Sequence, residues 1–188
     1  GVRPLFMGDN KYFSSEIKGI SFCRDIRPFP IGTYQVHAYN AMNNFLVEEK
    51  QHSQIPFLKN PHYSNKEIAI RAIRISLEEA VEKRLLTERP VACLLSGGID
   101  SSIITAIVSR RLKEKGLKLK TFSIGMEGST DLAYAKRVAD FLETDHTEIK
   151  LTSNDFLDAI PKVVYDIESY DTTTVRASVG NWLIGKYI

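Results

Sequence analysis

VACLLSGGIDSSIITAIVSRRL, residues 91–112, carries an apolar run straight into Ser96-Gly97-Gly98 and then into Asp100-Ser101-Ser102. Val91 to Leu95 read as a short buried strand, and Asp100 to about Lys115 as a helix with Gly116 as the residue that ends it. Two adjacent glycines cost backbone entropy. Three hydroxyls and a carboxylate at one strand end require a reason. In a parallel sheet, ligands bind outside the carboxyl ends of the strands. A helix N-terminus presents unpaired N–H groups and partial positive charge to an anion. Gly97 and Gly98 let backbone approach a ligand, and Ser96, Ser101 and Ser102 add hydroxyl donors. Asp100 would repel a phosphate unless it held Mg²⁺ bridging to the phosphate oxygens. The residues alone leave two readings open: an anion cradle, or a tight βα turn with an acid complementing the helix dipole. Neither GxxxxGK[ST] nor GxGxxG is present.

Outward from this loop the pattern repeats. SNKEIAIRAIRISLEEAVEKRLL predicts a helix opened by a Ser64–Glu67 capping box, with Ile68, Ala72, Ile75, Val81 and Leu85 at helical spacing. LKTFSIG is a strand, TDLAYAKRVADFL a helix with Thr130 as its N-cap, and HTEIKL a strand. Thr152 and Asp155 form a second capping box before another helix, and the segment from Thr174 onward is helical. Strand–helix alternation implies an α/β fold, a parallel sheet with flanking helices. Residues 1–39 differ: Gly8-Asp9-Asn10 and Pro30/Gly32 punctuate short strands that need partners. Residues 40–63 are polar, contain Pro56 and Pro61, and read as a linker.

Bulk properties bound the function. The chain has 188 residues and a formal net charge of +2, so no global field points to nucleic acid or an anionic membrane. The basic run from Arg110 to Lys120 falls at a helix end and reads as a solvated face. Two cysteines, Cys23 and Cys93, make no disulfide framework, which favours a reducing, cytoplasmic setting. His37, His52, His62 and His146 lack zinc-ligand spacing, and no apolar run reaches the roughly 18 residues of a membrane span. A first residue of Gly1, inside strand-like sequence, is expected of a fragment.

SGGIDSS resembles the pyrophosphate loop, SGGxDS, of the ATP pyrophosphatase family, which adenylates an acyl or carbonyl oxygen. Four further stretches are similar to the glutamine-hydrolysing asparagine synthetases: TFSIGME at 121–127, STDLAYAKRVADFL with Thr130 where Pro is usual, IESYDTTTVRAS at 167–178, and GVRPLF, SSEIKGI and FPIGTY near the start. The resemblance implies an adenine nucleotide alpha hydrolase-like synthetase domain over 64–188. Short strands from an N-terminal amidotransferase domain would precede it over 1–39. It implies ATP and Mg²⁺, with Leu94, Leu95, Ser96, Gly97, Gly98, Asp100, Ser101, Ser102, Ile124 and Gly125 around the nucleotide, and Asp100 on the metal. Thr173 and Arg176 would hold the intermediate; Asp171 would orient Arg176 or cap the last helix. Expected substrates are ATP, aspartate and ammonia from glutamine, with no nucleic-acid or membrane partner and a homodimer for the full-length enzyme. Two departures stand out. The family's N-terminal Cys nucleophile and its SGEGSDE segment are both absent from these residues. By itself, then, the chain is expected to bind nucleotide weakly. A β-lactam synthetase-like enzyme and a non-catalytic nucleotide-binding module remain the alternatives.

Overall fold

The computed structural model describes residues 4–39, 44–52 and 65–188. The chain divides into two compact units, Gly1–His62 and Tyr63–Ile188. In the first, strands β1 (Phe6–Gly8), β2 (Tyr12–Ser14) and β3 (Ile26–Pro28) form an antiparallel sheet with β1 in the centre. Asp9 and Asn10 both take positive φ, and the Lys11 N–H donates to the Gly8 carbonyl, so the turn matches the twist of its strands. Asp9 also accepts from the Arg24 and Asp25 N–H groups, fixing the return of β3. Strands β4 (Thr33–Tyr39) and β5 (Asn44–Gln51) form a separate antiparallel hairpin. The short strands therefore find partners within the chain. Strand β5 lies inside the stretch 40–63 read as a linker. Apart from β5 and His52, that stretch lies outside the described residues.

The second unit is a three-stranded parallel sheet in the order β6 (Ala92–Leu94), β7 (Lys120–Met126), β8 (Asp145–Leu151). Helix α1 (Lys66–Arg84) precedes it. Helices α2 (Ile99–Glu114) and α3 (Thr130–Leu142) are the crossovers; α4 (Ser153–Ile167) and α5 (Thr172–Ile184) follow. Ile124 and Leu151 pack against the buried Ala159, Val163, Val179 and Leu183 of α4 and α5. On the other face, Leu95 packs against Ala135 and Ala139 of α3. Val81, Ile107, Val108 and Leu119 form a third cluster joining α1 to α2. Only the C-terminal half of α1 is used this way. Ile68 and Ile75, expected in the core, are 57% and 48% exposed.

The helix ends follow the expected chemistry with small shifts. Asn65, not Ser64, caps α1: its side chain accepts from the Glu67 and Ile68 N–H groups, while Ser64 lies outside the described residues. Ser129, not Thr130, caps α3, because Gly128 with φ +76° turns the chain one residue earlier. Thr152 and Asp155 form the predicted reciprocal box on α4. The Thr152 hydroxyl and N–H hold the Asp155 carboxyl below its ordinary value. The basic run is charge-paired within the last turns of α2: Arg110 meets Glu78, Arg111 meets Glu82 and Glu114, and Lys113 meets Glu143.

Between β7 and β8 the buried hydroxyls of Thr121 and Ser123 flank His146. Thr121 Oγ1 lies 2.9 Å from Nδ1 and Ser123 Oγ 3.1 Å from Nε2. Burial holds the imidazole below its ordinary value, against an opposing pull from Glu148. The folded state therefore favours the neutral ring. That contribution to stability is complete above about pH 6.5 and is lost as pH falls from there through the lower folded value. Thermal unfolding followed from pH 7.5 to 5 is expected to show a falling midpoint. His146→Gln, which hydrogen-bonds without titrating, is expected to flatten that slope. An unchanged slope would show that His146 does not carry it.

Candidate active site

Leu95 to Gly98 connect β6 to α2, and Ile99 to Ser102 form the first turn of that helix. Gly97 has φ +79°, the left-handed region that disfavours side chains. A Cβ there would lie 2.6 Å from the Ala135 nitrogen and 2.6 Å from Tyr134 Cβ, so the loop backbone fits flush against α3. Gly98 differs. Its φ of −69° suits any residue, and a Cβ would meet only Ser96 Oγ, at 3.4 Å, an ordinary contact. Packing thus accounts for the first glycine and leaves the second open to a ligand.

The hydroxyls brace the loop. The Gly98 N–H donates to Ser96 Oγ at 3.3 Å, and the Ser96 and Ser101 hydroxyls share a bond of 2.9 Å. Ser101 Oγ and Ser102 Oγ both donate to the Gly98 carbonyl, at 3.1 and 2.7 Å. All three expected donors are engaged inside the loop. What is left for an anion is backbone. Side chains cap α1, α3, α4 and α5, but none caps α2. The Ile99, Asp100 and Ser101 N–H groups precede the first intrahelical bond, which the Ser102 N–H makes to the Gly98 carbonyl. The Asp100 carboxylate is exposed and has no hydrogen-bond or ion-pair partner among the described residues. Among those residues no three His, Cys, Asp or Glu side chains converge as a metal cage. The donor set fits Mg²⁺ of the phosphate-bridging kind, which takes one carboxylate and completes its shell with phosphate oxygens and water.

Ser96 also belongs to the wall of a cavity of about 260 Å³ at the carboxyl ends of β6 and β7. Leu94, Leu95 and Ile124 are among its lining residues, and Phe122 and Ile184 extend the apolar surface. Asp131, Asn181 and Ser123 add polar edges. Asn181 and Ile184 carry no motif: α5 reaches the cavity through chain topology, which residue spacing does not reveal. Gly125 is outside the wall. A Cβ on it would lie 2.8 Å from Ser129 Oγ and 3.1 Å from Leu132 Cγ, so this glycine admits the start of α3.

Arg176 and Thr173 are exposed on α5 and line no part of this cavity. Arg176 borders a second, mainly apolar cavity of about 440 Å³, formed with Phe156, Ile160 and Val164 of α4. Asp171 acts as a cap: its Oδ2 accepts from the Thr174 N–H and hydroxyl, which hold its carboxyl below the ordinary range.

A family model described as asparagine synthase matches residues 72–188. The chain belongs to that family. The glutamine-hydrolyzing asparagine synthetases of Pongo abelii, Homo sapiens and Gallus gallus are 48%, 37% and 36% identical to it. Each alignment takes in 100% of this chain and 38% of the relative, so the chain spans well under half the length of the relatives it matches. Among solved structures, an NAD+ synthetase from Burkholderia pseudomallei is similar at 22% identity and a TM-score of 0.35, over 62% of this chain and 56% of that one.

The two glycines should separate in unfolding experiments. Gly97→Ala is expected to destabilise the fold by about 2 kcal/mol or more, through left-handed strain and the clash with α3. Gly98→Ala is expected to cost less than about 1 kcal/mol, the scale of an N-cap change. Urea unfolding of the two variants checks this. Equal losses would show that the α3 contact does not discriminate them.

Proposed function

We propose that these residues are the nucleotide-binding part of an enzyme that makes asparagine from aspartate and ATP. The uncapped N-terminus of α2, beside the apolar cavity at the ends of β6 and β7, carries this reading. Family membership supports it. Leu94, Leu95 and Ile124 would wall the adenosine, joined by Phe122 and Ile184. The backbone N–H groups of Ile99, Asp100 and Ser101 would hold the pyrophosphate, with Ser96, Ser101 and Ser102 keeping the loop in shape. Asp100 would hold Mg²⁺, which neutralises phosphate charge when bound.

In the reaction an oxygen of the aspartate side chain attacks the α-phosphorus of ATP. The bond to the bridging oxygen breaks, releasing PPi and leaving β-aspartyl-AMP. Ammonia then attacks the acyl carbon, AMP departs with the bonding electrons, and the nitrogen loses a proton to give asparagine. Within the full-length protein the ammonia comes from glutamine. The protein contributes positioning and electrostatic stabilisation rather than a nucleophile. Thr173 and Arg176 would contact the acyl-adenylate, since a guanidinium fork suits a carboxylate or phosphate. Arg176 has no hydrogen bond or ion pair among the described residues, which leaves its donors available. Residues 1–39 belong on this reading to the end of a glutaminase domain. The pairing of β4 with β5 favours carrying that domain through Gln51, with the linker after it.

Asp100→Asn in the full-length protein is expected to lower aspartate-dependent PPi release by at least about two orders of magnitude, while glutamine hydrolysis continues. A synthetase rate close to wild type would remove the metal role from Asp100. In the wild-type protein, PPi release that ignores aspartate and responds to another carboxylate would overturn the substrate assignment.

A further inference from the structure

The polar side chains on the wall of the nucleotide cavity are not equivalent. Ser96 is tied to Ser101 and to the Gly98 N–H. Ser123 is tied to His146. The Asn181 amide donates back to the Ala177 carbonyl at 3.2 Å. Asp131 alone among them has no hydrogen-bond or ion-pair partner among the described residues. It is a carboxylate, so it only accepts hydrogen bonds.

A bare carboxylate on a nucleotide cavity restricts what can face it. Phosphate oxygens are repelled, and they belong at the α2 terminus. The apolar walls take the faces of the base. The donors left on a nucleotide are the ribose hydroxyls and the amino group of the base. Position decides between them. Tyr134 and Ala135 press against Gly97 in the phosphate loop, and Asp131 precedes Ala135 by four residues, about 6 Å along the helix axis. That short step places the carboxylate toward the phosphate end of the nucleotide, where the next donors along the ligand are the ribose hydroxyls. It falls short of the amino group at the far edge of the base.

Resting on the nucleotide-site reading above, we infer that Asp131 is a specificity-determining residue that accepts from the ribose hydroxyls, so that the site selects ribonucleotides over deoxyribonucleotides. Dinucleotide-binding α/β folds likewise use an acidic side chain to accept from a ribose hydroxyl, from a different loop. Ser129 and not Asp131 caps α3, so the carboxylate is free of that duty.

The test is titration calorimetry on the full-length protein with ATP, 2′-deoxy-ATP, 3′-deoxy-ATP and ITP, for wild type and Asp131→Ala. Asp131 is exposed, and the variant is expected to fold. Wild type is expected to bind ATP about tenfold more tightly than at least one deoxy analogue, the scale of one hydrogen bond to a charged acceptor. Asp131→Ala is expected to lose ATP affinity by a similar factor and to show no preference. If the preference persists in Asp131→Ala, or wild type binds all sugars equally, the inference is overturned while the nucleotide site stands. If wild type discriminates only against ITP, the carboxylate reads the base, and the ribose assignment is overturned. If wild type binds no ATP, the nucleotide-site reading falls and the inference falls with it.

Discussion

The close approach of Gly97 to Tyr134 and Ala135 is the constraint on which the rest of the second unit depends. It locks the end of β6 against the second turn of α3 before any ligand arrives. Leu95, 1% exposed, is pinned to Ala135 and Ala139 by the same approach. Those two alanines are fully buried because a larger side chain would push α3 away from the sheet. With α3 held there, its first turn brings Asp131 to the cavity, and Gly125 leaves room for Ser129 and Leu132. Close packing transmits a single missing Cβ into the shape of a site several residues away.

The loop is also pre-organised by its own hydroxyls. A serine that looks like a phosphate donor in sequence can equally be a strut, and here Ser96, Ser101 and Ser102 are struts around the Gly98 N–H and carbonyl. A loop already held in one shape loses little conformational entropy when an anion arrives, which leaves more of the interaction energy for binding. The backbone N–H groups at the start of α2 need no side-chain rearrangement to meet a phosphate.

Much of this was legible in sequence because it rests on local rules. The βαβ order, the Thr152–Asp155 box, the Gly116 stop at φ +71° and the Gly8–Lys11 turn all depend on residues within a few positions of each other. Strand β5 was not legible: its run of Glu48, Glu49 and Lys50 hides a strand whose pairing with β4 is decided by the partner. The Ser129 cap was missed by one residue because Gly128 sets the turn. The exposed Ile68 and Ile75 of α1 show the limit of periodicity, which marks an apolar stripe without saying what covers it. At the site, Ser96 was readable because it follows a strand end, while Leu94, Leu95 and Ile124 were readable only through the family resemblance. Asn181 and Ile184 were not, since their place depends on how α5 returns across the sheet.

That return gives α5 an unusual position. One stripe of the helix, Thr172, Val175, Arg176 and Val179, faces the groove shared with α4, while Asn181 and Ile184 reach the cavity beside β6 and β7. The helix is thus a common wall between two spaces, and the guanidinium expected at the reacting end of the adenylate lies on the far one. The cap at Asp171 and the buried Val179 and Leu183 hold the helix at both ends, so moving it as a body would disturb the α4–α5 core. Rotating the exposed Arg176 side chain disturbs nothing buried. If Arg176 meets the acyl-adenylate as proposed, a free side chain on a fixed helix is the less costly arrangement, because the change in contacts is confined to groups already in water.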